Sequence, residues 1–377
     1  MTANLIVSGV GQLNRPYYPD IPGLETFKGA KFHSARWDHA HDLTGETVAV
    51  VGNGASAIQF VPEIAPKVKK LTIFQRSPNW VVPKPDRAYA PWEHKLYRRL
   101  PWLVRLHRYW LYLRHERNFL AFHKGAWFAK LFEKAFHKEL EAHIKDPELR
   151  AALTPDYAVG CKRILLTNDW FPTLARDNVE VVTSRIAKVA KAGVVTEDGT
   201  AHPADTIIYA TGFEATRFLA PMEITGLGGR SLNDAWQAGP EAHRGIAVAG
   251  FPNFFMLYGP NTNLGHNSII FMIECQVNYI KRCIDALRTR DLAYLDVKQD
   301  AQKRFNEALQ HDIDRSAWAG ECSSWYKTAD GKVTNNWSSY TVKYWWETRR
   351  PDFAEFNEIA RGLRHPKEAA THATAAE

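Results

Sequence analysis

The chain has 377 residues, a net charge of +7, and 24% charged against 45% hydrophobic residues. That length allows two or three domains, and the composition is that of an ordinary folded protein, not a disordered or low-complexity one. No apolar run approaches the roughly 18 residues a membrane span needs, and the start shows no basic segment leading into a long apolar one, so neither an integral membrane protein nor a secretory signal is expected.

In chain order, residues 3–8 predict a short buried strand that runs into a loop rich in glycine and proline (Gly9, Gly11, Pro16, Pro19, Pro22, Gly23). Thr47 to Val51 predict the next strand, Ala55 to about Ile64 a helix, and Lys70 to Gln75 a further strand, which together make a β-loop-α-β unit of the dinucleotide-binding kind. Residues 88–150 carry helical periodicity broken by Pro91, Pro101 and Pro147. Residues 178–183, 193–197 and 205–210 read as short strands, and Glu197, Asp198 and Gly199 as a hairpin turn. Asn267 to Leu287 predict a long helix with Ile269, Ile270, Ile273, Val277, Ile280 and Ile284 on its apolar positions. The tail after Pro366 has almost nothing to bury and is expected to be disordered.

The charge is uneven. Between Lys84 and Lys124 ten Lys and Arg face three Asp and Glu, which accounts for the whole excess. Trp92, Tyr97, Trp102, Tyr109, Trp110, Tyr112 and Phe119 are interleaved with them. Such a segment can bind nucleic acid or a membrane surface. The preferred expectation is an amphipathic helical lid whose Arg and Lys stems cover the aromatics, because no nucleic-acid motif accompanies the charge and no nucleic-acid partner is expected. Cys161, Cys275, Cys283 and Cys322 show no metal spacing, so no metal is expected and a reduced, cytoplasmic setting is the default.

The strand from Thr47 runs into Gly52, Gly54, Ser56 and Ala57. Gly52 permits a tight turn, Gly54 lets the backbone approach a pyrophosphate, and Ala57 allows close helix packing. The helix N-terminus offers free N–H groups and a positive dipole to phosphates. Where an NAD-binding chain carries an acidic residue for the ribose, this one has Arg76 and Ser77. A guanidinium suits a 2′-phosphate that a carboxylate would repel, so NADP(H) is expected. The plainer reading is a loop arginine in a nucleotide fold of other use.

The stretch from Phe27 to Asp38 follows the pattern F-x-G-x-x-x-H-x-x-x-W ending in Pro or Asp, with Gly29, His33 and Trp37 at its fixed positions. It resembles the fingerprint of the Baeyer–Villiger flavin monooxygenases, and the resemblance runs from about residue 3 to residue 362. Ser324 to Lys327, Asn336 with Trp337, Tyr344 with Trp345, and the start from Ile6 to Pro16 look most like the 4-hydroxyacetophenone monooxygenase branch. The resemblance implies an α/β, Rossmann-like flavoprotein with two dinucleotide-binding domains. Residues 1–40 would be a remnant of the FAD domain and a linker. Residues 41–205 would be a complete NADP domain with a helical insert at about 88–150, residues 206–365 the C-terminal part of the FAD domain, and 366–377 a disordered tail.

It implies FAD and NADP(H) as cofactors, a ketone and O2 as substrates, and oxygen insertion beside the carbonyl through a flavin C4a-peroxide. Arg163 would be the catalytic cation and Lys162 would approach the 2′-phosphate. Thr211 and Gly212, after the strand ending at Ala210, would sit where the chain passes between cofactor domains. Asn261 and His266, on the loop from Tyr258 to Ser268, would face the flavin, and Trp325 would lie on a loop closing over NADP. Gly29 would permit a tight backbone turn and His33 would couple cofactor binding to domain movement. Plainer alternatives stand beside each: surface charges for Lys162 and Arg163, packing for His33, Trp37 and Trp325, and a simple helix cap at Asn267 or Ser268.

The FAD glycine loop that opens the family's sequences has no counterpart here, so the FAD domain is expected to be N-terminally truncated. Three alternatives remain open: a truncated product, a chain that associates with itself or with a partner through that domain, and a chain that has lost flavin chemistry. Residues 3–8 would then form an exposed strand edge. The competing activities are N- or S-oxygenation by a related flavin monooxygenase, and an NADP-binding fragment inactive without a partner.

Overall fold

The computed structural model describes residues 1–322 and 324–362; the tail expected from residue 366 lies outside them. In chain order the elements are β1 (Ile6–Ser8), β2 (Ala30–His33), β3 (Thr47–Val51), α1 (Ala57–Ile64), β4 (Lys70–Phe74), β5 (Val81–Val82), α2 (Pro91–Arg99), α3 (Pro101–Arg117), α4 (Ala129–His143), α5 (Pro147–Leu153), β6 (Leu165–Leu166) and α6 (Trp170–Leu174). Then follow β7 (Val179–Val182), β8 (Ile186–Ala190), β9 (Gly193–Thr196), β10 (Ala201–Pro203), β11 (Thr206–Tyr209), α7 (Leu232–Ala235), β12 (Phe254–Met256), α8 (Ile269–Thr289), β13 (Leu292–Val297), α9 (Gln299–Asp314), α10 (Thr341–Thr348) and β14 (Phe356–Ala360). The described residues form two compact units, one of residues 15–98 and 125–214, the other of residues 1–14, 99–124 and 215–362. These boundaries cut across the sequence segments: the helical insert is divided after Arg98 and again after Lys124.

The first unit is built on a five-stranded parallel sheet in the order β2-β11-β3-β4-β7. Val48, Ala49 and Val50 of β3, Leu71 and Ile73 of β4, and Ile207 and Ile208 of β11 are all buried. Such continuous apolar runs are what a parallel sheet covered on both faces requires. On one face Ala57, Ile58, Val61 and Ile64 of α1 pack with Phe136 and Leu140 of α4 and Trp170 and Phe171 of α6. On the other, Ala49, Val51, Phe74 and Tyr209 meet Val189 and Val194 from the antiparallel sheet β8-β9-β10.

The fingerprint itself contributes an edge strand. β2 pairs in parallel with β11, Ala30 opposite Thr206 and His33 opposite Tyr209, a strand that the reading of Gly29 as a turn residue did not anticipate. Gly29 does not adopt a left-handed backbone. A Cβ there would meet the Asp205 carbonyl oxygen at 2.0 Å and the Phe27 ring at 2.6 Å, so at the bend the chain makes before β2 glycine is needed for close approach. The three prolines that break the helical segment each open a helix, α2, α3 and α5, because proline fits the first turn, where its missing N–H has no intrahelical partner.

In the second unit β1 pairs in parallel with β12, Ile6 opposite Phe254 and Ser8 opposite Met256. Among the described residues β12 is its one sheet partner, and Ile6 and Val7 are exposed, so the strand is not the buried one its apolar run predicted. Tyr279, Ile280 and Cys283 of α8 pack on Phe255, Leu295 and Phe356. The expectation that Arg and Lys stems cover the aromatics of the basic segment is not met: Trp102, Tyr109 and Trp110 of α3 are more than half exposed.

Replacing Gly29 with Ala sets a methyl against a backbone oxygen that cannot yield without moving β11's entry. A loss of about 1–3 kcal/mol is expected, read as a lower thermal midpoint; an unchanged midpoint rejects the close-approach role.

Candidate cofactor and active site

The dinucleotide loop stands at the carboxyl end of β3, between β11 on one side and β4 on the other. This is the switch point at which open parallel sheets bind ligands. Gly52 has φ +104°, and a Cβ there would lie 2.6 Å from the Ala210 carbonyl oxygen. Around Gly54 the corresponding space is open, leaving room for a phosphate to approach the backbone. Ala57 is fully buried beneath the loop, and the Ser56 hydroxyl makes no cap hydrogen bond at the start of α1.

Asn53, which the sequence pattern leaves as an unspecified position, latches the loop. Its amide donates to Gln75 Oε1 at 2.7 Å and to the Ser77 carbonyl at 3.0 Å, while Asn79 donates to the Asn53 carbonyl at 3.1 Å. The segment after β4 is thereby held beside the loop, and with it Arg76 and Ser77.

Lys162, 85 positions away from Ser77, donates to Ser77 Oγ at 2.7 Å. Its ammonium also lies 4.4 Å from the centre of the Tyr157 ring. Tyr157 is fixed in turn: its hydroxyl donates to the Pro78 carbonyl at 2.7 Å, and its own carbonyl accepts from Trp80 Nε1 at 2.9 Å. Burial lowers the Lys162 pKa from its ordinary 10.5, the like charge of Arg76 lowers it further, and Asp156 opposes both. Arg76 and the neighbouring Arg163 are exposed and form no ion pair with any described residue. Arg76 and Lys162 are thus close enough to repel each other, and each would gain from an anion. Ser77 and Lys162 are brought together, with Arg76 close enough to act on the lysine; Tyr157 and Asn53 are supporting residues that sequence reading missed, since only contacts distant along the chain reveal them.

Beside the loop, β11 leads into Thr211 and Gly212. Thr211 donates its hydroxyl hydrogen to the Tyr17 carbonyl, the Tyr17 N–H donates to the Gly212 carbonyl at 2.9 Å, and Gly212 has φ +83°. His33 is fully buried, with Tyr18 and Phe213 edge-on to its ring. Its Nδ1 accepts from the Ala35 N–H at 3.0 Å, which requires a neutral imidazole, and burial lowers its pKa in the same sense. Trp37 packs edge-on between Phe32 and Phe60, and Asp38 accepts from the Ala40 N–H. Phe27 lies in the core under the sheet. Phe27, His33 and Trp37 are packed side chains of this unit, while Asp38 is exposed.

In the second unit the loop from Tyr258 to Ser268 runs from β12 to the start of α8. Asn261, at φ +57°, donates its amide to the Val333 and Asn336 carbonyls at 3.0 and 3.1 Å. Asn263 donates to Asn336 Oδ1 and Asn335 to Gln12 Oε1. Asn261 therefore holds the loop to the 333–336 segment, and its amide hydrogens are committed there. Ser8 Oγ and Gln12 Nε2 are buried beside β1 without a hydrogen-bond partner among the described residues, polar groups of the kind a bound polar ligand satisfies. Trp325 is half-buried with its ring 4.5 Å from Tyr326.

No side chain caps the start of α8, contrary to the plainer alternative, and Asn267 is engaged elsewhere. Its Oδ1 accepts from the Ser268 N–H while its amide donates to Glu116 Oε2 at 2.7 Å. Glu116, from α3, also accepts from Thr341 Oγ1 at 2.8 Å and the Val342 N–H at 3.1 Å, and His266 Nε2 stands 3.6 Å away. Burial alone would raise this carboxyl; His266, Asn267, Thr341 and the Val342 N–H outweigh it and hold its pKa at about 2. A depressed carboxyl stabilises the fold above its unfolded pKa of 4.5, and that contribution fades as pH falls toward 2. Glu116→Gln is expected to cost about 3 kcal/mol at neutral pH, since the glutamine oxygen replaces the charged acceptor poorly. The difference from the unmodified chain should shrink on acidification below about pH 4.5, as read by denaturant unfolding at several pH values; a difference constant with pH rejects this account.

The model of the flavin-binding monooxygenase-like family matches residues 3–222. A Baeyer–Villiger monooxygenase of Pseudomonas aeruginosa is 44% identical over 358 residues, covering 94% of this chain and 68% of that protein. One of Streptomyces coelicolor is 45% identical over 363 residues, covering 95% and 70%. Among solved structures, OTEMO in complex with FAD and NADP superposes with a TM-score of 0.81 at 27% identity, over 94% of this chain and 75% of that one. With its parallel nucleotide sheet, glycine loop and cationic cluster, the chain belongs to the flavin-binding monooxygenase-like family, among relatives of the Baeyer–Villiger type.

Proposed function

We propose that this chain is a Baeyer–Villiger monooxygenase that uses NADPH, FAD and O2 to convert a ketone into an ester or lactone. The observation that carries this is the gathering of Arg76, Ser77 and Lys162 beside the loop from Gly52 to Ala57. It is a site for a nucleotide bearing an additional phosphate, in a chain whose relatives are named for this reaction. On the pattern of Ser324 to Lys327 and Asn336 with Trp337 we place it in the 4-hydroxyacetophenone branch.

The nucleotide would lie with its pyrophosphate over Gly54 and the free N–H groups at the start of α1. Arg76 and Lys162 would hold the 2′-phosphate, with Ser77 as a further donor. FAD would be held in part by the second unit, where Ser8 Oγ and Gln12 Nε2 await partners. When bound, the nicotinamide supplies a hydride and the flavin supplies the activation of O2. Arg163, exposed and unpaired, is the group that would meet the negative charge developing on oxygen in the reaction. A cation in that role is effective when it need not be torn from another partner first. His33, neutral and fully packed, is not positioned by its contacts to act as an acid or base.

Replacing Arg76 with Ala should weaken NADPH binding by roughly tenfold to a hundredfold, the worth of a charged phosphate contact, and leave NADH almost unchanged; equal losses for both nucleotides reject the 2′-phosphate assignment. Replacing Arg163 with Ala should leave nucleotide binding measurable and abolish ester formation from a ketone, followed by gas chromatography. Unchanged ester formation rejects its role. A protein that forms amine oxides but no ester is an N- or S-oxygenating enzyme, and one that takes up NADPH but no FAD is a nucleotide-binding chain that needs a partner.

A further inference from the structure

Helix α3 carries a feature that oxygenation does not use. Trp102, Leu106, Tyr109, Trp110 and Leu113 follow one another at the spacing of a single helical face, and all five are more than half exposed, between 53% and 66%. A folded chain rarely leaves so continuous an apolar stripe in water unless something covers it. Arginines border it: Arg105 lies toward one flank, Arg114 toward the other, and Arg117 follows Leu113 one turn on along the same face. Arg114 and His107 both contact the Trp110 ring, at 5.5 and 5.8 Å, which holds the indole on this face. The one acidic residue of the helix, Glu116, is buried and engaged with Asn267, Thr341 and Val342. Tyr112 is likewise turned inward, its hydroxyl 2.7 Å from Thr341 Oγ1. The helix is thus fastened through Tyr112 and Glu116 while the stripe stays free.

We propose that α3 lies flat on an anionic lipid bilayer, with the Trp, Tyr and Leu stripe at the level of the acyl boundary and the flanking arginines on the lipid phosphates. The composition argues for this occupant over the others. Tryptophan and tyrosine favour the boundary between water and hydrocarbon, and an apolar face edged by arginine is the pattern of helices that bind in the interfacial plane. A second copy of the same helix would bring arginine against arginine with no exposed carboxylate to answer it. A nucleic acid would satisfy the arginines but leave Leu106 and Leu113 nothing to gain. Among the described residues no helix is long and apolar enough to cross a membrane, so the attachment would be to one face of the bilayer, where a water-insoluble ketone is most concentrated.

The test needs no catalysis and is therefore independent of the proposed reaction. The full chain is sedimented with phosphatidylcholine vesicles and with mixed phosphatidylcholine and phosphatidylglycerol vesicles. Binding is expected to the mixed vesicles, weakened by salt. It should fall about tenfold or more when Arg105 and Arg117 are both replaced by Gln, at roughly 1 kcal/mol per arginine near an anionic surface, and be abolished in the triple variant Leu106→Ser, Trp110→Ser, Leu113→Ser. These side chains are exposed, so unchanged melting by circular dichroism should confirm that both variants are folded. Binding to neither vesicle, equal binding to both, or a dimer in analytical ultracentrifugation that the triple variant dissolves would each overturn the proposal.

Discussion

The nucleotide site rests on one contact of backbone with backbone. At the carboxyl end of the parallel sheet, Gly52 leaves β3 so close to the Ala210 carbonyl that any side chain would strike it at 2.6 Å. Because β3 and β11 meet in this way, the chain turns sharply into the loop, and α1 starts directly over the sheet with Ala57 buried beneath it. The loop can then be latched by Asn53 to Gln75 and to the Ser77 carbonyl, which fixes where Ser77 meets Lys162. Glycine is required at position 52 both by its left-handed backbone and by the lack of space for a Cβ.

Two partly buried charges show how the same physics serves stability in one place and binding in another. Glu116 is removed from water but surrounded by donors on α10 and on the loop before α8, so its charge is kept and three segments are tied together. Lys162 is also removed from water, yet its hydrogen bond goes to a neutral hydroxyl and Arg76 repels it. A satisfied charge holds a fold together; an unsatisfied one stores affinity for whatever anion arrives. Neutral His33 is the third case, a titratable ring whose burial and backbone hydrogen bond remove it from acid–base work.

Most of the secondary structure was legible. β3, α1 and β4 fall within a residue or two of their expected bounds, because strongly periodic or wholly apolar runs have one stable place in a layered fold. β2 was missed because Ala30 to His33 has neither strand alternation nor strong strand propensity; pairing with β11 makes it a strand. The prolines at 91, 101 and 147 were read as breaks, whereas each begins the next helix. The exposure of the aromatics on α3 could not be read at all, since the same pattern of tryptophan and arginine suits a covered lid as well as an open face.

The sequence by itself determined the nucleotide loop, the choice of a cation at Arg76, and the family, because these depend on residue type at short fixed spacings. Tertiary structure alone decided that Lys162 reaches Ser77 across 85 positions and rests on Tyr157. It also decided that Asn261 is a structural tether and that Glu116 joins α3 to α10 and to the loop before α8. These depend on which distant segments the core brings together, and no local pattern records how far a side chain must reach to find its partner.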